Sequence, residues 1–314
     1  MQKLIVIDGN AIFHRAYHSM PPFKTSKGEV TNAIYGFLRM LFDLLKREKP
    51  DYIAIAWDRA APTFRHEEYK EYKATRSAPP DDLYPQLPRL KQILETMHIS
   101  SFEMDGFEAD DLIGTLTYQA EKQPDLHTII LTGDRDALQL VSEKTEVMTP
   151  LSGVAKVKMY TPEEVTKTYG VSPQQIIDYK ALCGDTSDNI PGIPGIGPKQ
   201  ASTLLQKYGT FENIYQHLNE LSSSQQKKFQ DGQQLGKMSK KLATIHREVP
   251  ITLTPEKLAL DIDFPKLTRL FEELEFNSLL RKLEELETVL QPAPSANQIV
   301  VNIEKESAVQ QSLF

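Results

Sequence analysis

The chain has 314 residues, 40% hydrophobic and 25% charged, with 15 glycines and 20 prolines, which excludes a wholly disordered chain and suits one or two globular domains. A single cysteine, Cys183, excludes an internal disulfide, and the opening apolar run Leu4 to Ile7 is too short for a signal peptide or anchor. No run of about 18 apolar residues occurs, so no membrane partner and a cytoplasmic location are expected, while the formal charge of −7 disfavours nucleic acid unless many acids are spent on metal ions.

Short apolar runs at Lys3 to Ile7, Tyr52 to Trp57 and Thr128 to Leu131 alternate with helical patterns such as Ala33 to Lys46 and Leu83 to Met97. This alternation predicts an α/β fold with a mostly parallel sheet flanked by helices. Thr145 to Thr149 and Lys156 to Tyr160 add a hairpin at the sheet edge, after which the strands stop. Thr161-Pro162-Glu163-Glu164 and Ser172-Pro173-Gln174-Gln175 are helix starts, and helical patterns continue to about Leu286. The expected division is 1–170 for an α/β domain, 171–286 for a helical domain with a C-terminal helix, and 287–314 for a flexible linker and tail.

Ligands of open α/β sheets bind outside the carboxyl ends of the strands, and this chain places acids there repeatedly. Asp8 and Asp58 follow the first two apolar runs, and Asp134 and Asp136 follow the third. Glu108, Asp110 and Asp111 open the helix Leu112 to Ala120, with Glu108 and Asp111 expected on one face and Asp110 on another unless the first turn is irregular. Asp185 and Asp188 lie in the helical half. Each alone reads as a helix cap or turn residue, but that reading does not cover all nine together. Two charges about 4 Å apart repel by about 4 kcal/mol at an effective dielectric of about 20, so converging carboxylates would protonate or recruit divalent cations. Oxygen ligands without histidine or cysteine favour Mg2+ or Mn2+ over zinc. A two-ion carboxylate site suits phosphodiester displacement, in which one ion lowers the pKa of the attacking water. Removing nine negative charges from the total also turns the balance slightly positive, so composition no longer opposes DNA.

Two segments suggest a polyanion. Gly192, Gly195 and Gly197 interrupt the run before Pro198 and Lys199; Gly195-Ile196-Gly197 lets backbone amides approach a phosphate at the start of a helix. Lys207, Lys227, Lys228, Lys237, Lys240 and Lys241 are candidates to extend the track. Between Asp58 and Leu83, the residues Lys70, Lys73 and Arg76 recur every third position and would form a cationic stripe on a helix, with Phe64, Tyr69 and Tyr72 available for base stacking. Such a polar, proline-flanked segment is expected to be mobile without DNA. His14 and His18 lack a third soft ligand, and Trp57 and Cys183 read as core residues. There is no phosphate-binding G-x-x-x-x-G-K-[ST] loop, and Asn10 stands where an aspartate-nucleophile phosphatase needs its second acid.

Taken in order, VIDGNAIFHRAYH (6–18), TNAIYGF (31–37), TFRHEEYKEYKATR (63–76), FEADDLIGTL (107–116), LTGDRDALQL (131–140) and GDTSDNIPGIPGIGPK (184–199) resemble the 5' nuclease family. That family includes the flap endonucleases, and the likeness is greatest to the N-terminal 5'-3' exonuclease domain of bacterial DNA polymerase I, over about residues 1 to 285. The resemblance implies a PIN-like catalytic domain with a helical arch at about 62–84, and a helix-hairpin-helix (H3TH) DNA-binding domain. It implies two metal ions, one supported by Asp8, Asp58, Glu108, Asp110 and Asp111, the other by Asp134, Asp136, Asp185 and Asp188. Lys73 and Arg76 would act catalytically on the scissile phosphate, and Arg15, Arg65, Lys70 and Tyr72 would contact DNA. The glycine hairpin with Lys199 would bind duplex and hold K+. The implied reaction is hydrolysis near a single-strand/duplex junction, leaving a 5'-phosphate and a 3'-hydroxyl. Pro198 and Gln200 replace the glutamate and threonine usual in relatives, and Trp57 a common phenylalanine. No polymerase or proofreading domain is expected in this chain.

Gln310, Leu313 and Phe314 at the tail resemble the peptide by which bacterial replication proteins dock on the sliding clamp. The expected substrates are flapped or nicked duplex DNA, including RNA primer-DNA hybrids, and the chain is expected to be monomeric. The rival readings are a PIN-like ribonuclease acting on single-stranded RNA and a non-catalytic junction or clamp adaptor.

Overall fold

The structure, a computed structural model, describes residues 1–152 and 156–290. The proposed clamp peptide at Gln310 to Phe314 therefore lies outside the described residues.

The first strand, β1 (Gln2–Asp8), runs straight into α1 (Gly9–Ser19), with Asp8 as the cap: its Oδ1 accepts the Ala11 amide at 2.9 Å. Next come α2 (Asn32–Glu48), β2 (Tyr52–Ala56), a single turn α3 (Phe64–Glu68), α4 (Leu87–Thr96) and β3 (Ser100–Phe102). The α/β half finishes with α5 (Ala109–Glu121), β4 (Leu126–Leu131), β5 (Thr145–Ser152) and β6 (Lys156–Tyr160). The sheet order is β3-β2-β1-β4-β5-β6, parallel throughout except for the antiparallel β5–β6 hairpin. The expected strands and edge hairpin are all present; β3 is an addition, too short and polar (Ser100-Ser101-Phe102) to stand out in the sequence.

Leu4-Ile5-Val6-Ile7 is an unbroken apolar run because β1 is central and covered on both faces. Leu4 and Val6 join the core under α5, while Ile5 and Ile7 join the core under α1, α2 and α4. Since β1 lies between β2 and β4, the chain leaves it towards opposite sides, and the crevice at its carboxyl end is where a ligand site forms in such sheets.

The helical half comprises α6 (Pro162–Tyr169), α7 (Ile176–Cys183), α8 (Pro198–Tyr208), α9 (Phe211–Gln216) and α10 (Ser223–Ala243). Ile193 and Phe229 fill its core, and the close fit of α10 needs Gly232 and Gly236, whose added Cβ atoms would meet Ile193 at 2.8 Å and Phe211 at 2.9 Å. The chain then returns to the sheet. Helices α11 (Phe264–Glu273) and α12 (Asn277–Leu290) bury Leu267, Phe271, Leu279 and Leu283 in the same core as Phe37 and Phe42 of α2. The C-terminal helix thus packs on the α/β half, where the sequence division had grouped it with the helical one. Chain order did not reveal this because an amphipathic stripe does not name its partner.

Candidate active site

The carboxyl ends of β1, β2 and β4 open into a cleft of about 1000 Å³ whose walls include Asp8, Asp58, Asp110 and Asp134. Three of the four acids, Asp8, Asp58 and Asp134, are oriented by neutral partners. Asp8 Oδ2 accepts the Thr132 hydroxyl at 2.7 Å. Asp58 Oδ1 accepts the Ala109 amide at 2.7 Å, and its own amide donates to Asn10 Oδ1 at 3.1 Å. Asp134 Oδ1 accepts the Asp136 amide at 2.9 Å. These bonds fix the carboxylates without neutralising them. Burial, with the nearby Asp58 and Asp134 charges, pushes the Asp8 carboxyl up to about 7. Burial and the charges of Asp134 and Asp8 raise Asp110 well above the usual carboxylate range, and desolvation raises Asp58 and Asp134.

The first turn of α5 separates its three acids. Asp110 faces the cleft, whereas Asp111 is turned inwards and fully buried. Asp111 accepts both guanidinium nitrogens of Arg65 at 2.8 Å, the His246 amide at 2.8 Å and the Glu108 amide at 3.1 Å. Asp111 is therefore a structural carboxylate, which corrects its assignment as a metal ligand. Arg65, only 2% exposed, also donates to the carbonyls of Leu242 and Thr244, each at 2.9 Å. It ties α3 to the end of α10 and is not presented to substrate, a second correction. The physical reason is common to both: a buried arginine requires a carboxylate, and Asp111 supplies it.

The remaining acids are met by cations. Lys180 of α7 pairs with Asp136 and lies 2.5 Å from Asp185 Oδ2, joining the 3-10 turn Asp136–Leu140 to the loop after α7. Burial works against the ionised Asp185, but Lys180 and Ser187 hold its carboxyl down to about 2. The sequence reading missed Lys180; its signal was a lysine on the apolar helix just before Gly184-Asp185. Among the described residues no three carboxylates already form a closed metal cage.

The arch segment departs most from expectation. Its helix ends at Glu68, Tyr69 is extended, and Lys73 is left-handed at φ 55°. Lys70, Lys73 and Arg76 therefore do not form a helical stripe. Lys73 Nζ lies 2.8 Å from Glu108 Oε2, and Arg76 Nη2 lies 2.6 Å from Asp188 Oδ1. The Tyr72 hydroxyl is 3.2 Å from Glu108 and 3.1 Å from Asp188. At 4% exposure, Tyr72 packs with Ile190 and Leu242 and presents no face for base stacking, which corrects that assignment. The segment was expected to have little to pack against; Tyr72 supplies the missing apolar anchor. Lys70 is exposed.

At the glycine hairpin the three glycines differ. Gly192 is buried at φ 65°, an added Cβ would sit 2.3 Å from the Gly184 nitrogen, and its amide donates to Ser239 at 2.9 Å. It serves packing, so its assignment to DNA is corrected. Gly195 and Gly197 are exposed, nothing lies within 4 Å of a Cβ built on Gly197, and Lys199 is exposed beside them. The Gly195 carbonyl accepts Lys228 Nζ at 2.9 Å. Of the supporting lysines, Lys207 pairs with Glu220, Lys227 with Asp231, Lys240 with Asp178 and Glu212, and Lys241 with Glu68, so the phosphate track is shorter than the lysine count suggested. Arg15 donates to the Leu151 carbonyl at 2.7 Å, away from the cleft. His14 bonds the Tyr84 hydroxyl at 2.9 Å, Trp57 is in the core and Cys183 is half-buried.

This combination of a parallel sheet, an acidic cleft at its carboxyl edge and an adjoining helical domain defines a nuclease-like architecture, and comparison with known proteins agrees. The model for the 5'-3' exonuclease N-terminal resolvase-like domain matches residues 3–170, and that for the 5'-3' exonuclease C-terminal SAM fold matches residues 171–264. A 5'-3' exonuclease of Aquifex aeolicus is 40% identical over 289 residues, covering 91% of this chain and 96% of that protein. The chain belongs to the 5'-3' exonuclease family. DNA polymerase I of Bacillus caldotenax is 41% identical over 285 residues, 90% of this chain but 32% of that protein, so the chain spans about a third of the length of the polymerase relatives it matches. Two solved structures share the fold. The T5 D15 protein co-crystallised with metal ions has a TM-score of 0.65 at 18% identity, covering 92% of this chain and 100% of that one. The catalytic core of Rad2 in complex with DNA substrate has a TM-score of 0.61 at 16% identity, covering 93% and 92%. Among the described residues no helix is long and apolar enough to cross a membrane.

Proposed function

We propose that this chain is a monomeric, divalent-metal-dependent 5'-3' exonuclease and flap endonuclease that cuts phosphodiesters near single-strand/duplex junctions, serving primer removal and DNA repair in the cytoplasm. The observation that carries this reading is the meeting of Asp8, Asp58, Asp110 and Asp134 in one cleft, where burial raises each carboxyl towards protonation. The donor set is oxygen only, which fits Mg2+ or Mn2+. These four residues would hold the ions, joined by Glu108, Asp185 and Asp188 once their lysine and arginine partners move aside. Bound there, two divalent ions would supply positive charge to the phosphodiester and lower the pKa of water.

The chain's own residues do the rest. Lys73 and Arg76, already at the cleft, would turn from Glu108 and Asp188 to the phosphate oxygens, orienting the phosphodiester and offsetting the charge that develops on it. Gly195, Gly197 and Lys199 would grip the duplex backbone beside the start of α8. A potassium ion at that turn would compete with Lys228 for the Gly195 carbonyl. Gln310, Leu313 and Phe314 would dock on a sliding clamp, and deletion of the last five residues should then abolish clamp binding while leaving cleavage unchanged.

The deciding experiment is cleavage of a 5'-labelled flap duplex in magnesium by wild type and Asp134→Ala, with single-stranded RNA as control. Cutting near the junction that vanishes in the variant is expected. Binding without cutting would make the protein an adaptor, and cutting of RNA alone would make it a ribonuclease.

A further inference from the structure

The acidic cleft does not end at its carboxylates. Beyond Asp134 its wall continues through Arg135, Tyr169, Tyr179 and Cys183 to Pro198, the first residue of α8, and so joins the candidate metal site to the exposed turn at Gly195 and Gly197. The cations along this cleft are of two kinds. Lys73, Arg76 and Lys180 are held on carboxylates. Arg135 is exposed and, among the described residues, forms no ion pair, although its chain neighbours are Asp134 and Asp136. Its guanidinium lies near the Tyr169 hydroxyl, which is buried and has no hydrogen-bond partner among the described residues. Tyr169 is itself braced edge-on by Tyr179, with ring centroids 5.8 Å apart.

The backbone at Arg135 is fixed while its charge is not spent. Its carbonyl accepts the Leu138 amide at 3.1 Å at the start of the 3-10 turn, and the Asp136 amide bonds Asp134 across it at 2.9 Å. A guanidinium offers five N–H donors in a planar fork that matches phosphate oxygens in pairs, and no carboxylate occupies them here. An arginine held off the adjacent carboxylates, in the passage between a phosphate-accepting turn and the reacting centre, is available for an incoming anion. We propose that Arg135 binds a backbone phosphate of the nucleic-acid strand between the glycine turn and the reacting phosphodiester, with the Tyr169–Tyr179 pair forming the wall beside it. This rests on the nuclease reading above, and it assigns a substrate contact that lies between the two parts already described.

The test is equilibrium binding of a fluorescent 5'-flap duplex to the full chain in EDTA over a series of potassium chloride concentrations, with cleavage in magnesium at saturating DNA measured alongside. Arg135→Ala should weaken binding about tenfold at moderate salt and lower the slope of log affinity against log salt by about 0.9, the loss of one phosphate contact. Arg135→Lys should restore the slope. A slower rate at saturating DNA with unchanged affinity and slope would mean that Arg135 acts only through Asp134 and Asp136, and would overturn the proposal. Lys199→Ala separates the two readings. If it lowers the slope and Arg135→Ala does not, the proposal falls and duplex binding stands; if wild type shows no salt-dependent binding, both fall.

Discussion

Lys73 Nζ sits 2.8 Å from Glu108 Oε2, so a cation of the arch segment occupies a carboxylate that opens α5. The same segment places Arg76 on Asp188, and the Lys73 amide donates to the Asp188 carbonyl at 3.0 Å. Cationic side chains thus pair with Glu108 and Asp188, whereas among the described residues Asp8 and Asp110 form no ion pair. Ions entering the cleft would compete directly with Lys73 and Arg76. Divalent cations are therefore expected to speed amide exchange across residues 69–76, and hydrogen-exchange mass spectrometry with and without magnesium reads this out; identical protection in both states would show that the arch and the metal do not compete.

Stability should depend on pH in an unusual direction without metal. Asp8 ionises near 7 in the folded chain against an ordinary value of 3.8, so between those limits the folded state holds a proton that the unfolded state has lost. Its favourable contribution is complete below about 4 and is lost as pH rises through about 7, and the raised Asp58, Asp110 and Asp134 act in the same sense. In EDTA the thermal midpoint is expected to fall from pH 5 to pH 8, and magnesium should restore more of it at pH 8. Calorimetry at the two pH values checks both statements.

Asp110 and Asp111 are neighbours with opposite expected behaviour. Asp110→Asn removes a repelling charge and should leave folding intact or improve it while abolishing metal-dependent cleavage. Asp111→Asn leaves the buried Arg65 without its counter-charge and should cost about 3–5 kcal/mol of stability. Urea unfolding of both variants, paired with flap cleavage, distinguishes them; equal stability losses would contradict the placement of Asp111.

The glycines allow a similar contrast. Gly192→Ala forces a Cβ into the Gly184 backbone at a left-handed φ and should destabilise the helical half by several kcal/mol. Gly197→Ala meets open space and should fold normally, while weakening duplex binding if the backbone there approaches a phosphate. Thermal melts and DNA titrations of the pair provide the comparison.

Much of this molecule is legible from residue order. The alternation of short apolar runs with helical patterns sets the parallel sheet, because a central strand must be apolar on both faces, and acids directly after such runs must emerge at one edge. Asp8, Asp58 and Asp134 were placed in that way. Local order could not decide which acids would be consumed internally. Asp111 is lost to Arg65, 46 positions away, and Asp136 to Lys180, because burial of a cation is a property of the packed interior and not of spacing. The tertiary structure also decided that Tyr72 is an anchor and not a stacking platform, that Gly192 packs while Gly197 stays open, and that the C-terminal helices return to α2. For Asp111, Asp136, Tyr72 and the C-terminal helices the deciding contact joins segments far apart in the chain, and its energy exists only once the core that holds both is formed.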